Sequence, residues 1–521
     1  MAATRCNGPG TFCKLLSRKS SFIQTLLYRY ASTDSLKMVK LQSDKLEERR
    51  TQIKVNKRTN IKPNNVKSTD SEDIHVYRKD RKMENRKKNN GQHAPSFWKM
   101  IERRLVEAKT HYVITKTNLQ KLDAGTLKSL EGIHITKQTV IVRSLNEEGH
   151  RWLAQQKRFT GNLDFATGPQ NVVAYLKQFR DVSVNNQLLQ FNYILRQNKS
   201  HQIAYFMVYN EIQDVLMKSL PKLSVGIHGS AVTNLGCKGS DLDIVINVST
   251  NKRKMFDQVK TKLEEAESLN IGFCAPHARV PIINVQHCPT KISCDISIES
   301  FAQSNSNPMV NAEVLYTMSV LDDRFCSLVR IIKYWASCRG LCKAGANPSP
   351  HGITWTLLTL FYFQQKGILP AARRLYCYQT AGAQKTRTRA VLSSENNALC
   401  QPLDTPTMRS IDDISKDLKK NDELLVDLLK GFCDYYLAFD FSKRKISIYD
   451  GVYYQRTLRH LRVSDGAMEI PLEYKECYNT NVSKNVTSGV INVMKKELTN
   501  LHKALNNNNL GSVLKESGRQ L

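Results

Sequence analysis

Two aspartates, Asp241 and Asp243, stand at i and i+2 in the run Asp241-Leu242-Asp243-Ile244-Val245-Ile246. Alternate side chains of a strand share a face, so both carboxylates project together while Leu242, Ile244 and Ile246 turn to a core. Like charges held side by side call for a cation between them. Mg²⁺ is a hard ion that takes oxygen ligands and shares them with phosphates. Two such ions about 3.5–4 Å apart clamp the attacking and leaving oxygens of an in-line phosphoryl transfer. A third carboxylate, Asp295, lies in the later strand-like run Ile292-Ser293-Cys294-Asp295-Ile296-Ser297-Ile298. Upstream, Val225-Gly226-Ile227-His228-Gly229-Ser230 reads as a strand entering a Gly-Ser turn. The backbone and hydroxyl donors of Gly229 and Ser230 can come close to a triphosphate there. A lone Asp-x-Asp is more often a solvated turn, and a lone Gly-Ser a common loop. The specific signal is the ordered set: strand, Gly-Ser, ten intervening residues, Asp-apolar-Asp-apolar, then an aspartate in a later strand.

These carboxylates need a sheet beneath them and helices behind it. Gln170 to Leu220 is helical in pattern and Pro221 breaks it; a strand-rich block follows to about Ile298, and helices dominate beyond. Arg373 to Asp422 is polar and irregular and reads as an exposed insertion. Leu424 to Phe441 resumes a helical, aromatic pattern, and the tail after Leu505, with Asn506 to Asn509, reads as disordered. Ahead of these segments, Phe97 to about Gln156 combines several elements: a strand at His111–Thr115, helical spacing over Leu119–Leu130, a hairpin from Ile133–Ile135 and Thr139–Val142, and a helix at Glu147–Gln156. A small α/β sandwich of this kind occurs in RNA-recognition modules, but their aromatic stacking signature is missing here. A packing or dimer surface is therefore favoured over weak RNA binding.

Charge points to a polyanionic partner. Lys+Arg number 77 against 47 Asp+Glu, a formal +30, and such a field raises encounter rates with nucleic acid first and an acidic membrane surface second. The bland alternative is a basic tail that only aids solubility. No stretch approaches the roughly 20 apolar residues of a membrane span. The longest candidate, Trp355 to Phe363, reads as a buried helix. Thirteen cysteines without a Cys-x-x-Cys pair argue against a disulfide framework and a zinc module. Cys338 and Cys342 fall one helical turn apart, with no further ligand nearby, and all are read as reduced thiols.

Residues 1–33 contain no acidic residue; Arg5, Lys14, Arg18, Lys19 and Arg29 alternate with Ser17, Ser20, Ser21 and Ser32, and Phe22, Ile23, Leu26 and Leu27 can line one helix face. That composition is the signature of a mitochondrial transit peptide. Residues 34–96, with the runs Arg78–Lys82 and Arg86-Lys87-Lys88, read as a basic disordered linker.

The carboxylate set resembles that of the DNA polymerase β-like nucleotidyltransferases. Further segments are similar to the noncanonical poly(A) polymerases and terminal uridylyltransferases: Ala278–Ile283, Leu321–Arg324, Leu328–Ala336, Thr356–Gln364, Gly367–Pro370, and, in a poly(A)-polymerase-associated region, Leu428–Phe432, Tyr435-Tyr436, Phe439–Phe441 and Ile446–Ile448. The similarity covers about Gln170 to Val486. With the N-terminal segment and small domain, it is greatest to the mitochondrial branch of poly(A) polymerases.

The resemblance implies an α+β fold: a polymerase β-like palm with a mixed sheet at 200–300, a helical central domain at 165–199 and 301–490, and the small RNA-recognition-like α/β domain at 97–160, with 505–521 a disordered tail. It implies that Asp241, Asp243 and Asp295 are catalytic, that Asp241 and Asp243 hold Mg²⁺ or Mn²⁺, and that AMP passes from ATP to RNA 3′ ends in the mitochondrial matrix. A terminal uridylyltransferase of the same fold and a catalytically silent RNA-binding subunit are the alternatives. It places Lys333 on the triphosphate, Asn311 near the sugar, and a homodimer on the small domain. Four positions depart from the family pattern. Ser337 stands where relatives carry a second lysine, and Gly352-Ile353 stands where a Ser-Tyr pair stacks on the base. Thr480, before Asn481-Val482, replaces the histidine of many uridylyl-adding relatives, which favours ATP over UTP.

Overall fold

The computed structural model describes residues 95–169, 171–179, 181–221, 223–248, 251–300, 308–342, 348–377, 407–456, 467–470 and 481–514. The transit-peptide segment, nearly all of the basic linker, the centre of the 373–422 insertion, Thr480 and the last seven residues lie outside these ranges. Two compact units divide the chain; among described residues one is Thr110–Leu163, and the other comprises 95–109 and 164–514.

Helix α1 (Phe97–Lys109) buries Phe97, Met100, Ile101, Leu105 and Ala108. It belongs to the larger unit, because this stripe packs against a long helix there and Leu105 O accepts from Asn210 Nδ2 at 3.3 Å. The small α/β domain expected at 97–160 thus begins at Thr110. It contains β1 (His111–Thr115), short helices α2 (Lys116–Gln120) and α3 (Ala124–Lys128), β2 (Leu130–Ile135), β3 (Thr139–Ser144) and α4 (Glu147–Ala154). The three strands form an antiparallel sheet ordered β1-β3-β2, with Ile114, Leu119, Leu130, Val140, Val142 and Leu153 as its core. The single helix expected over Leu119–Leu130 is two. The Asp123 carboxylate accepts from Gly125 N at 2.8 Å and Thr126 N at 2.9 Å, capping a new helix and breaking the old one.

The larger unit continues with α5 (Val172–Lys177), α6 (Val184–Leu195), α7 (Lys199–Ser219), β4 (Ser224–His228), β5 (Leu242–Asn247), α8 (Lys252–Glu264), β6 (Leu269–Ala275), β7 (Ile282–His287) and β8 (Ser293–Glu299). These strands form one mixed sheet ordered β4-β5-β8-β7-β6. Only β5 and β8 run parallel, and such a pair needs a long crossover. The crossover contains α8, a helix inside the block expected to be rich in strands. Asn251 caps it, and it buries Phe256, Val259 and Leu263 at helical spacing. Leu242, Ile244 and Ile246 are fully buried on one face of β5, as the alternation requires. Two tyrosines one turn apart on α7 brace the sheet: Tyr209 Oη donates to Val225 O at 3.0 Å, and Tyr205 Oη donates to Ser240 O.

Beyond the sheet come α9 (Pro308–Leu321), α10 (Asp323–Cys338), α11 (Gly352–Gln365), the short pair β9 (Tyr376–Cys377) and β10 (Thr407–Met408), α12 (Ile411–Lys416), α13 (Leu425–Ala438), the hairpin β11 (Arg444–Ser447) and β12 (Val452–Gln455), and α14 (Ser488–Asn506). They join α5 and α6 in one continuous core. Trp335 and Trp355 cross edge to face at 5.6 Å and fix α10 against α11. The tail expected to be disordered from 505 remains ordered to 514, because Leu510, Val513 and Leu514 are buried in this core. No described helix is long and apolar enough to cross a membrane, and Cys237, Cys274, Cys288, Cys294, Cys326, Cys338, Cys342 and Cys433 are free thiols.

Arg330 of α10 links the helical core to the loop that precedes Asp241. Its guanidinium donates to Gly236 O at 3.3 Å, to Asn192 Oδ1 at 2.9 Å and to Asn234 O. Arg330→Ala strands these acceptors and is expected to lower stability by about 2–3 kcal/mol in urea denaturation. Arg330→Lys recovers less than half of the loss, since an ammonium cannot fork between carbonyls. A variant as stable as the parent would show that the loop does not depend on this residue.

Candidate active site

The carboxylates meet because of strand register. Asp243 lies directly opposite Asp295 across the parallel pair β5–β8, and opposite His228 across β4–β5. Directly paired residues share a face, so the two carboxyl groups point the same way. Asp241 sits one residue ahead of β5, at the exposed rim. The loop before it is held by Tyr205, by Arg330, and by Gln197 Nε2 donating to Cys237 O at 3.0 Å. The Gly-Ser turn follows β4 directly as a short 3₁₀ turn over Gly229–Ala231. Gly229 has φ +69°, and a Cβ there would run into the Asp243 carboxylate. Glycine is required on both counts. The Ser230 N–H donates to Asp243.

Crowding leaves its mark on proton affinity. Burial, then repulsion by Asp295 and Asp241, pushes the Asp243 carboxyl up to about 7, against the pull of Lys333 and the Ser230 N–H. Asp241, although at the rim, is also raised, by partial loss of solvent and then by Asp295, opposed by a hydrogen bond from Ser293 and by Lys333. His228, whose Nε2 is buried without a hydrogen-bond partner, is depressed by burial to about 4 and adds no positive charge near neutral pH. Three carboxylates facing one lysine leave a surplus of negative charge that a divalent cation neutralises. Among the described residues, no three His, Cys, Asp or Glu side chains close into a ready-made cage. An open set of this kind suits Mg²⁺ or Mn²⁺, which keeps waters and completes its shell with substrate phosphates.

Lys333 reaches the same place from α10. Its Cε and Nζ lie 3.1 and 3.5 Å from where a Gly352 Cβ would stand, so the ammonium lies against the first turn of α11, and its charge is felt by Asp241 and Asp243. Ile353 is partly buried against the helical core, and Ser337, one turn after Lys333, is exposed. Asn311 is half-buried in the first turn of α9, the helix packed on β4 and the Gly-Ser turn. Asn485 Nδ2 meets His351 Nε2 at 2.9 Å, and Thr354 Oγ1 contacts Val482 O at 3.5 Å. The segment that follows Thr480 therefore borders the start of α11.

Sequence reasoning missed several supporting groups. Asn284 of β7 pairs with Asp295 and donates from Nδ2 to Asp295 Oδ1 at 2.7 Å and Ser293 Oγ at 3.0 Å. One signal was available: a lone amide within the apolar run Ile282-Ile283-Asn284-Val285. Tyr205 and His351 carry no comparable signal, since their roles arise from packing between distant segments.

The raised affinity of Asp243 for its proton has a thermodynamic consequence. An unfolded carboxyl titrates at about 4, so the folded chain binds this proton more tightly. The resulting stabilisation is present at low pH and is lost as pH rises from about 4 through about 7. In metal-chelated buffer, Asp243→Asn should remove this component. Urea denaturation at pH 5 and pH 8 measures it, and an identical pH dependence in both proteins would refute it.

Residues 184–318 match the family model described as Poly(A) RNA polymerase, mitochondrial-like, central palm domain. Caffeine-induced protein 16 of Schizosaccharomyces pombe is 29% identical over 197 residues, 37% of this chain and 16% of that protein. The human mitochondrial poly(A) RNA polymerase is 24% identical over 314 residues, 54% of this chain and 49% of its own length. The chain thus spans less than half the length of these curated relatives. A crystal structure of mtPAP in complex with UTP superposes with a TM-score of 0.62 at 15% identity, covering 81% of this chain and 100% of that one. The shared fold is α+β, with a polymerase β-like palm built on the mixed five-stranded sheet. Over residues 184–318 the chain carries the palm of the noncanonical poly(A)/poly(U) polymerase family.

Proposed function

We propose that this chain is a template-independent nucleotidyltransferase that transfers AMP from ATP to RNA 3′ ends in the mitochondrial matrix. The observation that carries the reading is the in-register pair Asp243–Asp295, with Asp241 beside it, the Gly-Ser turn beneath it and Lys333 facing it. Asp241 and Asp243, joined by Asp295, would hold Mg²⁺ or Mn²⁺, which lowers the pKa of the RNA hydroxyl and offsets phosphate charge when bound. Asn284 keeps one Asp295 oxygen occupied and so orients the other. Gly229 and Ser230 offer donors to the triphosphate, and Lys333 neutralises the charge that grows on the departing pyrophosphate. The 3′-hydroxyl attacks the α-phosphorus, the α–β phosphoanhydride bond breaks, and pyrophosphate leaves without a covalent enzyme intermediate. Asn311 is assigned to the sugar.

ATP is favoured over UTP by Thr480, which stands where many uridylyl-adding relatives carry histidine. The acid-free Arg/Ser-rich segment 1–33 supports the mitochondrial assignment. The unit Thr110–Leu163 is assigned to self-association. A silent RNA-binding role is disfavoured by the presence of all three carboxylates.

The protein lacking residues 1–33, given a short RNA, Mg²⁺ and each NTP separately, should extend the RNA with ATP. Asp241→Ala/Asp243→Ala should extend none. Extension with UTP alone would replace adenylate by uridylate addition, and inertness with every NTP would overturn the enzymatic reading. Lys333→Ala should raise the KM for ATP by roughly tenfold or more while leaving the KM for RNA unchanged. An unaltered KM for ATP would remove Lys333 from the triphosphate.

A further inference from the structure

Phe273, on the outermost palm strand β6, is 67% exposed, the most of any large apolar side chain among the described residues. Register fixes the face it occupies. Ile271 pairs with Val285 and Cys274 with Ile283, so two residues of β6, Gly272 and Phe273, stand opposite Asn284 alone. Val285 and Ile283 are buried on the core face, and Ile271 and Cys274 share that face with them. The two residues in the bulge between them turn the other way, toward the face of Asn284 and Asp295. Gly272 agrees: a Cβ there would lie 2.7 Å from Asn284 Oδ1. Phe273 thus belongs to the carboxylate face, two strands out from Asp295, or about 10 Å at ordinary strand spacing.

We propose that Phe273 is the stacking platform for the RNA strand being extended, an inference that rests on the function proposed above. The Gly-Ser turn lies on the β4 flank of the carboxylates, which puts the triphosphate there. In an in-line displacement the attacking hydroxyl arrives opposite the leaving pyrophosphate, here from the β8-β7-β6 flank. RNA approaching along that line passes Asn284 and crosses Phe273 one or two nucleotides before its end. An aromatic ring stacks on any base, which is the tolerance that extension without a template requires. Arg279, exposed on the turn between β6 and β7, offers a cation to the RNA backbone on the same flank.

The test uses the full chain, a labelled 15-nucleotide RNA, ATP and Mg²⁺. Phe273→Ala should raise the KM for RNA on the order of tenfold, with the KM for ATP and the melting temperature unchanged, and Phe273→Trp should restore it. An abasic nucleotide placed second or third from the 3′ end should penalise the parent by a similar factor and Phe273→Ala by nothing further. An unchanged KM for RNA, an equal rise in the KM for ATP, or abasic penalties that persist in Phe273→Ala would overturn the proposal while the parent still extends RNA. Should the parent extend no RNA with any NTP, the proposed function and this inference fall together.

Discussion

Asp243 and Asp295 face each other across two parallel strands, and neither can retreat without breaking the hydrogen-bonded ladder that holds it. Their repulsion is built into the sheet. Burial first, and this repulsion after it, push Asp243 toward neutrality and define a place where a divalent cation is worth more than at an ordinary surface. The surrounding groups act on this pair: the Ser230 N–H and the missing Cβ of Gly229 on one flank, the Asn284 amide on the other, and Lys333 across the top. A site that stores this much unfavourable charge must be held by something stiffer than itself.

The sheet and the helical core provide that stiffness separately. Tyr205 and Tyr209 tie α7 to the loop before Asp241 and to β4, and Arg330 ties the same loop to α6 and α10. The Trp335–Trp355 contact fixes α10, which carries Lys333, against α11. Buried aromatic contacts and forked guanidinium bonds leave little freedom to the elements they join. The carboxylates therefore occupy one arrangement before any ligand arrives, which is the condition for electrostatic stabilisation without reorganisation.

The start of α11 is where Lys333 and the C-terminal segment meet. Gly352 begins the helix there, and the His351–Asn485 contact joins the C-terminal segment to the same turn. A glycine at this position leaves room for the Lys333 side chain, which a Cβ would crowd.

Much of this protein follows from local rules alone. Asp241, Asp243 and Asp295 were legible because strand periodicity and apolar neighbours fix their faces, and Gly229 because an acute turn requires it. The strands His111–Thr115 and Ser224–His228 and the helical run that ends before Pro221 were legible for the same reason. Local rules also misread Leu119–Leu130, where one capping carboxylate splits the helix, and the chain after Leu505, whose few leucines and valines find a core built by distant helices. Long-range packing alone pairs Asp243 with Asp295 rather than a neighbouring residue, sets Asn284 on Asp295, and assigns helix α1 to the larger unit. Each of these rests on register or packing between segments 11 to more than 100 residues apart, and no periodicity within a single segment records which partner it will meet.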